Sequence, residues 1–433
     1  MKKKISFSRA LRGELSLPGD KSISHRAAIF NGIARGKATI SNFSNGEDCK
    51  STQNCLKALG VKITSAENTS DTIVIEGKGR SSLKEPPDIL DAGNSGTTMR
   101  LLSGLLAAQP FYTVITGDES LRSRPMKRII EPLRLMGAAI SGRNNDTQAP
   151  LGIKGGKLHG FDYRLPVASA QVKSSIILAA LFADSATKII EPAMSRDHTE
   201  QLLSYMGAQI KRNNNTLDIT PLSNDLVPFD INVPADISSA AYWLVAAIIH
   251  PKAEIKILNC GINPTRTGIL EVLSNMGAIF SLNNKRVEGG EPVADIVVSS
   301  SNLQGTLIQG DIIPRLIDEI PVIALAACFA TGKTIIKDAT ELRAKESDRI
   351  KTTTIELSKM GANIEEMPDG MIINGPCPLK GGFTDSHYDH RLAMTLAVAG
   401  MVSQNATVID NAQATEVSYP SFWEDLARLE KAV

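Results

Sequence analysis

Within six residues, Lys21-Ser22-Ile23-Ser24-His25-Arg26, the chain sets a lysine, two serines, a histidine and an arginine. A Pro-Gly turn precedes them and an Ala-rich apolar run follows. That order predicts a turn leading into a helix whose first two turns are polar and cationic. Backbone N–H groups at a helix start have no intrahelical acceptor and carry partial positive charge. With Lys21 and Arg26 added, such a helix start suits an anion. The same residues also suit a capped surface helix with solvated charges, and this stretch alone does not separate the two.

Similar residues recur along the chain. Asp91-Ala-Gly-Asn-Ser-Gly96-Thr-Thr-Met-Arg100 has two glycines that let backbone N–H groups approach a phosphate closely. Ala168-Ser169-Ala170-Gln171-Val-Lys173 opens another Ala-rich run. Cations also gather at Leu121–Arg128, which holds Arg124, at Ser195-Arg196-Asp197-His198, at Leu342–Arg349, and at Tyr388-Asp389-His390-Arg391. Each cluster by itself reads as a solvated helix start. In corresponding places of a repeat, they read as a site. Asp318 stands at the start of a strongly apolar run, where a carboxylate must cap, pair or do chemistry. Glu346 lies between Lys345 and Arg349. Gly332-Lys-Thr334 lacks the upstream glycine of a phosphate-binding P-loop, and no Gly-x-Gly-x-x-Gly follows a strand, so no nucleotide cofactor is expected. His387 and His390 stand three apart without a supporting ligand set, and no metal is expected.

The elements that must position these residues follow from self-comparison. A helix end with glycine, then a strand, recurs at Gly60, Gly137, Gly207, Gly277 and Gly361, at spacings of 77, 70, 70 and 84. Each glycine stands where a helix C-terminus needs positive φ. An Ala-rich helix followed by a β-branched strand interleaves with it six times: 26–40, 100–115, 171–190, 238–257, 318–336 and 391–409. The fold class is therefore α/β, built from six βα units. Six units exceed one core, so three per domain is the economical arrangement. The expected domains are 20–233, and 1–19 with 234–433, with hinges near 18–20 and 233–236. A strand over Lys4–Leu11 is expected to complete the sixth unit, and small ligands are expected in a cleft between the domains.

Bulk composition narrows the functional classes. The chain has 433 residues, net charge +1, 42% hydrophobic residues and 4% aromatic residues. Neither a broad nucleic-acid surface nor base-stacking platforms are indicated. The longest apolar run, Ile320–Ala330, is too short to span a bilayer, and polar residues after Lys4 break up any signal-peptide core. Five scattered cysteines without Cys-x-x-Cys suit a reducing cytoplasm.

Taken together, Leu-Pro-Gly-Asp-Lys-Ser-Ile-Ser-His-Arg, Gly-Asn-Ser-Gly-Thr-Thr-Met-Arg, Ser-Arg-Pro-Met, Ala-Ser-Ala-Gln-Val-Lys-Ser, Ser-Arg-Asp-His-Thr-Glu, Lys-Glu-Ser-Asp-Arg and Asp-His-Arg resemble the 5-enolpyruvylshikimate-3-phosphate synthase family over essentially the whole chain. The resemblance implies a two-domain inside-out α/β barrel with three repeats per domain and the active site in the interdomain cleft. It implies phosphoenolpyruvate and shikimate 3-phosphate as substrates, phosphate as a product, no cofactor, and no nucleic-acid or membrane partner. A monomer suffices for such a site. By motif, Lys21 is expected to touch both substrates, and Ser22 and Arg26 the shikimate carboxylate. Ser169, Gln171 and Lys345, with Arg196 nearby, are expected at the shikimate phosphate and ring hydroxyls. Gln171 is also expected near phosphoenolpyruvate. Gly96 and Arg124 are expected at its phosphate, and Arg349 and Arg391 at its carboxylate.

The implied chemistry is attack of the shikimate 5-hydroxyl on the central enol carbon while the methylene is protonated. Asp318 is the expected general base, and Glu346 with Lys21 the expected proton carriers at the methylene. The tetrahedral adduct then loses phosphate. Ala170 in place of a second serine, and Glu416–Pro420 without a lysine, resemble the family's second sequence class, some of whose members tolerate glyphosate. Tolerance is associated with an alanine in the phosphate loop; Gly96 here implies sensitivity. Two alternatives remain at this stage. One is the sister transferase acting on UDP-N-acetylglucosamine, against which stands the lack of any cysteine between Cys55 and Cys260. The other is a non-enzymatic scaffold that binds anions.

Overall fold

The computed structural model describes residues 1–66 and 71–431. The chain forms two compact units. The first holds Gly19–Val233 and Val287–Glu291; the second holds Met1–Pro18, Pro234–Arg286 and Pro292–Val433.

Among the described residues the strands form six small sheets, five of four strands and one of three. One strand order repeats. In the sheet containing Tyr112–Thr116, that strand runs parallel to Leu90–Asp91 and antiparallel to Gln148–Lys154, which pairs in turn with Ala139–Gly142. The sheets around Arg35–Ser41, Thr187–Ile190 and Gly332–Ile336 follow the same scheme. The repeated glycines adopt the conformation that their position demands: φ is 89°, 100°, 97°, 93° and 99° at Gly60, Gly137, Gly207, Gly277 and Gly361. A side chain would be strained at each, so each glycine allows its helix to stop and turn into the next strand.

Two strands show where repetition along the chain departs from repetition in space. Residues 4–11 are not one strand. Lys3–Ile5 pairs antiparallel with Thr407–Asp410 and completes the sixth sheet. Leu11–Ser16 instead runs parallel to Ala253–Gly261 in the fourth. Likewise Ile231–Asn232, from the far end of the first unit, runs parallel to Ile40–Ser41. Each unit thus closes by borrowing a strand distant in sequence. The second difference concerns Val287–Glu291, which the sequence reading placed with 234–433. Glu291 Oε1 lies 2.7 Å from His198 Nδ1, and a Cβ at Gly289 would meet Ile231 Cδ1 at 2.7 Å, so this turn packs within the first unit.

The Ala-rich helices lie inside. Every residue from Ile237 to Ile248 is buried, as is every residue of Ile320–Ala327. Helices apolar all round must be enclosed on all sides. Lys21–Ile33, Gly96–Leu106 and Ala170–Ala180 share one continuous core; Ile237–Ile249, Ile320–Ala327 and His390–Met401 share another. Small residues allow close packing: a Cβ at Gly104 would fall 2.0 Å from the Ser175 carbonyl oxygen. Amphipathic helices such as Lys127–Leu135, which buries Ile129, Ile130 and Leu133 and exposes Leu135, cover these cores. Five of the six inner helices start at a side-chain cap: Asp20, Ser95, Ser169, Asp236 and Asp389 each accept a backbone N–H of the first turn.

Candidate active site

In the first unit three inner helix starts carry the expected anion-binding residues. Lys21 begins its helix, and its Nζ lies 3.0 Å from Asp48 Oδ2. Arg26, one turn on, is almost wholly buried: Nε donates to Thr199 Oγ1 at 2.7 Å, Nη1 to the Ser22 carbonyl at 2.9 Å and Nη2 to Ser174 Oγ at 2.8 Å. Burial lowers its pKa to about 10, partly offset by Glu200 and Asp20, so it remains a fixed cation at neutral pH. Arg196 lies close enough for its charge to oppose that of Arg26.

Ser169 caps its helix by accepting the Val172 N–H at 3.5 Å. Gln171 accepts from Arg100 Nη1 and donates to Thr97 Oγ1 at 2.9 Å, which ties it to the Gly96 helix start. Arg124 Nη2 donates to Asn94 Oδ1 at 2.6 Å and holds the other side of the same loop. A Cβ at Gly96 would meet Arg100 Nη1 at 2.7 Å and Arg124 Nη1 at 3.7 Å, so the absence of a side chain keeps both guanidiniums near the loop backbone.

A buried hydroxyl chain aligns these helix starts. His25 Nδ1 lies 2.6 Å from Thr52 Oγ1, which lies 2.6 Å from Thr98 Oγ1; Thr98 donates to Ser95 Oγ at 2.7 Å. Ser95 is the cap preceding Gly96. Burial, with the charges of Lys21 and Arg26, holds the His25 imidazole well below its ordinary pKa. An imidazole neutral in the folded state and free to protonate when unfolded adds stability above its unfolded pKa. That stability is lost as pH falls below it. Unfolding free energy is therefore expected to decline from pH 7 to pH 5 by up to about 1.4 kcal/mol per pH unit from this residue. A His25→Asn variant, measured by urea denaturation, is expected to show a flatter dependence over that window; an unchanged slope would remove His25 as its source.

The second unit gathers acids with its cations. Asp318 does not cap a helix. It sits in the turn before Ile320–Ala327, with Oδ1 3.3 Å from Lys345 Nζ and 3.1 Å from Arg349 Nη1, and Oδ2 3.9 Å from Arg391 Nη2. Arg349 also meets Glu346 Oε2 at 2.6 Å and Asp389 Oδ2 at 2.8 Å. Burial works to lower its pKa, but Asp389, Glu346 and Asp318 outweigh it and the guanidinium is held above its ordinary value. Arg391, 3.8 Å from Glu319 Oε1, is raised in the same way, with Asp318 the strongest acidic influence against burial.

Composition therefore differs between the sets. The first has five cations, Lys21, Arg26, Arg100, Arg124 and Arg196, with Asp48 on Lys21 and with Glu200 and Asp20 acting on Arg26. The second interleaves Lys345, Arg349 and Arg391 with Asp318, Glu319, Glu346 and Asp389. The first suits binding of anions; the second suits exchange of protons and partners. Sequence reading missed Asp48, Arg100, Glu319 and Asp389 as members of these sets. Arg100 and Asp389 stand in quoted motifs, whereas Asp48 is an ordinary polar residue of an outer helix and its pairing has no local signal.

It missed another group as well. Lys173 Nζ, fully buried, lies 3.1 Å from Glu191 Oε2 and 2.8 Å from Glu200 Oε1, and Arg212 Nη2 bridges the same two oxygens at 3.0 and 2.7 Å. Glu191 also accepts the Ser195 N–H at 3.2 Å and its hydroxyl at 2.5 Å, fixing the start of the loop that carries Arg196.

The repeated sheets, buried Ala-rich helices and cationic helix starts define the enolpyruvyl-transferase fold. The enolpyruvyl transferase NikO from Streptomyces tendae shares it over 98% of this chain and 96% of its own, with TM-score 0.80 at 17% identity. Residues 5–426 match the EPSP synthase (3-phosphoshikimate 1-carboxyvinyltransferase) family, and the chain belongs to that family. A 3-phosphoshikimate 1-carboxyvinyltransferase from Herpetosiphon aurantiacus is 52% identical over the full length of both chains. One from Desulforudis audaxviator is 54% identical over 97% of each. An EPSP synthase structure from Acinetobacter baumannii covers 99% of this chain and 98% of its own, with TM-score 0.89 and 42% identity. The chain transfers the enolpyruvyl group of phosphoenolpyruvate to shikimate 3-phosphate, a step of aromatic amino acid biosynthesis. The UDP-N-acetylglucosamine and scaffold readings are set aside. No described helix is long and apolar enough to cross a membrane.

Proposed function

We propose that the two residue sets share the reaction: the first unit supplies most of the groups that hold the substrate phosphates and the shikimate carboxylate, and the second holds the phosphoenolpyruvate carboxylate and supplies the carboxylates that move protons. The observation that carries this reading is the Asp318 cluster, a carboxylate held among Lys345, Arg349 and Arg391. In this reading Ser22 and Arg26 take the shikimate carboxylate. Ser169, Gln171, Arg196 and Lys345 take its phosphate and hydroxyls. Gly96 and Arg124 take the phosphoenolpyruvate phosphate, with Gln171 nearby.

Arg349 and Arg391 take the phosphoenolpyruvate carboxylate by exchanging internal acid partners for it. Asp318 accepts the 5-hydroxyl proton as the oxygen attacks the enol carbon, and Glu346 and Lys21 deliver a proton to the methylene. The cations then stabilise the tetrahedral adduct as phosphate leaves. Chain segments 18–20 and 233–236 act as hinges, and the protein works as a monomer in the cytoplasm without cofactor, membrane or nucleic acid.

Lys21→Met tests the binding half. Phosphate release is expected to fall by on the order of a hundredfold or more in kcat/KM for both substrates. A loss confined to one substrate would end its role as the shared cation. Gly96 predicts competition by glyphosate against phosphoenolpyruvate; little competition at millimolar glyphosate would overturn that expectation.

A further inference from the structure

Cys328 and Cys377 stand 49 residues apart in sequence, yet the fold makes them neighbours. Cys328 follows the inner helix Ile320–Ala327, and Cys377 follows the strand Gly370–Gly375. The Cys377 N–H donates to the Cys328 carbonyl at 2.7 Å, which fixes the two backbones side by side, while the Cys328 thiol donates to the Ala324 carbonyl at 3.3 Å and the Cys377 thiol to the Asn374 carbonyl at 3.1 Å. Cys377 is the more open of the two, 7% exposed against 0%. The Asn363 N–H points at its sulfur from 3.4 Å, a donor that favours thiolate.

We propose that Cys328 and Cys377 are a modification site, a thiol pair that peroxide converts to an intramolecular disulfide. The Cys377 thiolate attacks one peroxide oxygen. An S–O bond forms, the O–O bond breaks, and hydroxide leaves to be protonated to water. The Cys328 sulfur then attacks the sulfenic sulfur. The S–S bond forms, the S–O bond breaks, and a second water carries off the Cys328 proton. Two thiols lose two electrons and one peroxide gains them.

The environments of the cysteines support selectivity. The neighbouring Cys328 thiol lowers the Cys377 thiol to about 6, and Cys377 together with burial raises that of Cys328, so the pair holds one attacking and one resolving sulfur. Burial pushes Cys55 up to about 12 and Cys49 higher still, leaving both as thiols. The bridge would close a chain loop containing Lys345, Glu346 and Arg349 without using any of them.

The test treats the full-length protein with hydrogen peroxide, then alkylates it under denaturing conditions and maps peptides by mass spectrometry. The expected result is a fall from five alkylatable thiols to three, a 328–377 cross-linked peptide, and full recovery with dithiothreitol. In Cys328→Ser the peroxide step is expected to stop at a sulfenic acid on Cys377 that dimedone traps; in Cys377→Ser no cross-link forms. Five free thiols after treatment, a cross-link between other cysteines, or Cys377 driven to sulfinic acid beside a free Cys328 would each overturn the proposal.

Discussion

Asp318→Asn is expected to lower kcat by about a hundred- to ten-thousandfold, the range for losing a positioned general base. The amide keeps the shape and one acceptor oxygen for Lys345 and Arg349, which lie 3.3 and 3.1 Å from Oδ1 in the native protein. It cannot take up the 5-hydroxyl proton. Binding of shikimate 3-phosphate, measured by titration calorimetry, should change little, because most residues proposed to hold that substrate belong to the first unit. Phosphate release with both substrates measures the chemistry. Turnover within a few-fold of the native enzyme would remove Asp318 from proton transfer. Loss of binding together with turnover would instead show that its charge mainly orders Lys345, Arg349 and Arg391.

Lys173→Met should produce the largest loss of stability. Its ammonium is fully buried against Glu191 and Glu200, and the substitution removes one of the two cations that bridge those carboxylates, leaving Arg212 in that place. Removing one member of a buried ion pair typically costs about 3–5 kcal/mol, mainly through the partner left uncompensated. Urea denaturation of the first unit's transition is the measurement. Adding Glu191→Gln to Lys173→Met removes one stranded charge and should restore part of the loss. A double variant no more stable than the single one would mean that packing of the lysine stem, and not charge balance, sets the cost. Glu191 also anchors Ser195, so these variants should raise KM for shikimate 3-phosphate more than for phosphoenolpyruvate.

What the sequence determined by itself was whatever rests on short-range physics. The glycines that end outer helices are legible because positive φ is a property of one residue, and their regular recurrence reveals the repeat. The helix caps are legible because a cap bonds two or three residues along the chain. Inner and outer helices are legible from whether apolar residues surround the axis or occupy one face. The proposed site residues were picked out at the same level, since most of them stand at helix starts within motifs.

Tertiary structure decided who pairs with whom. Lys21 meets Asp48 across 27 residues, Lys345 meets Asp318 across 27, and Arg349 meets Asp389 across 40. Lys173, Glu191, Glu200 and Arg212 come together from four places, and Cys328 finds Cys377. The closing strands, Leu11–Ser16 and Ile231–Asn232, join sheets formed mainly by distant sequence. A charge or thiol has no preferred partner along the chain, and a short strand pairs with whichever edge the packed core presents to it. Those choices depend on three-dimensional closure, which no local spacing encodes.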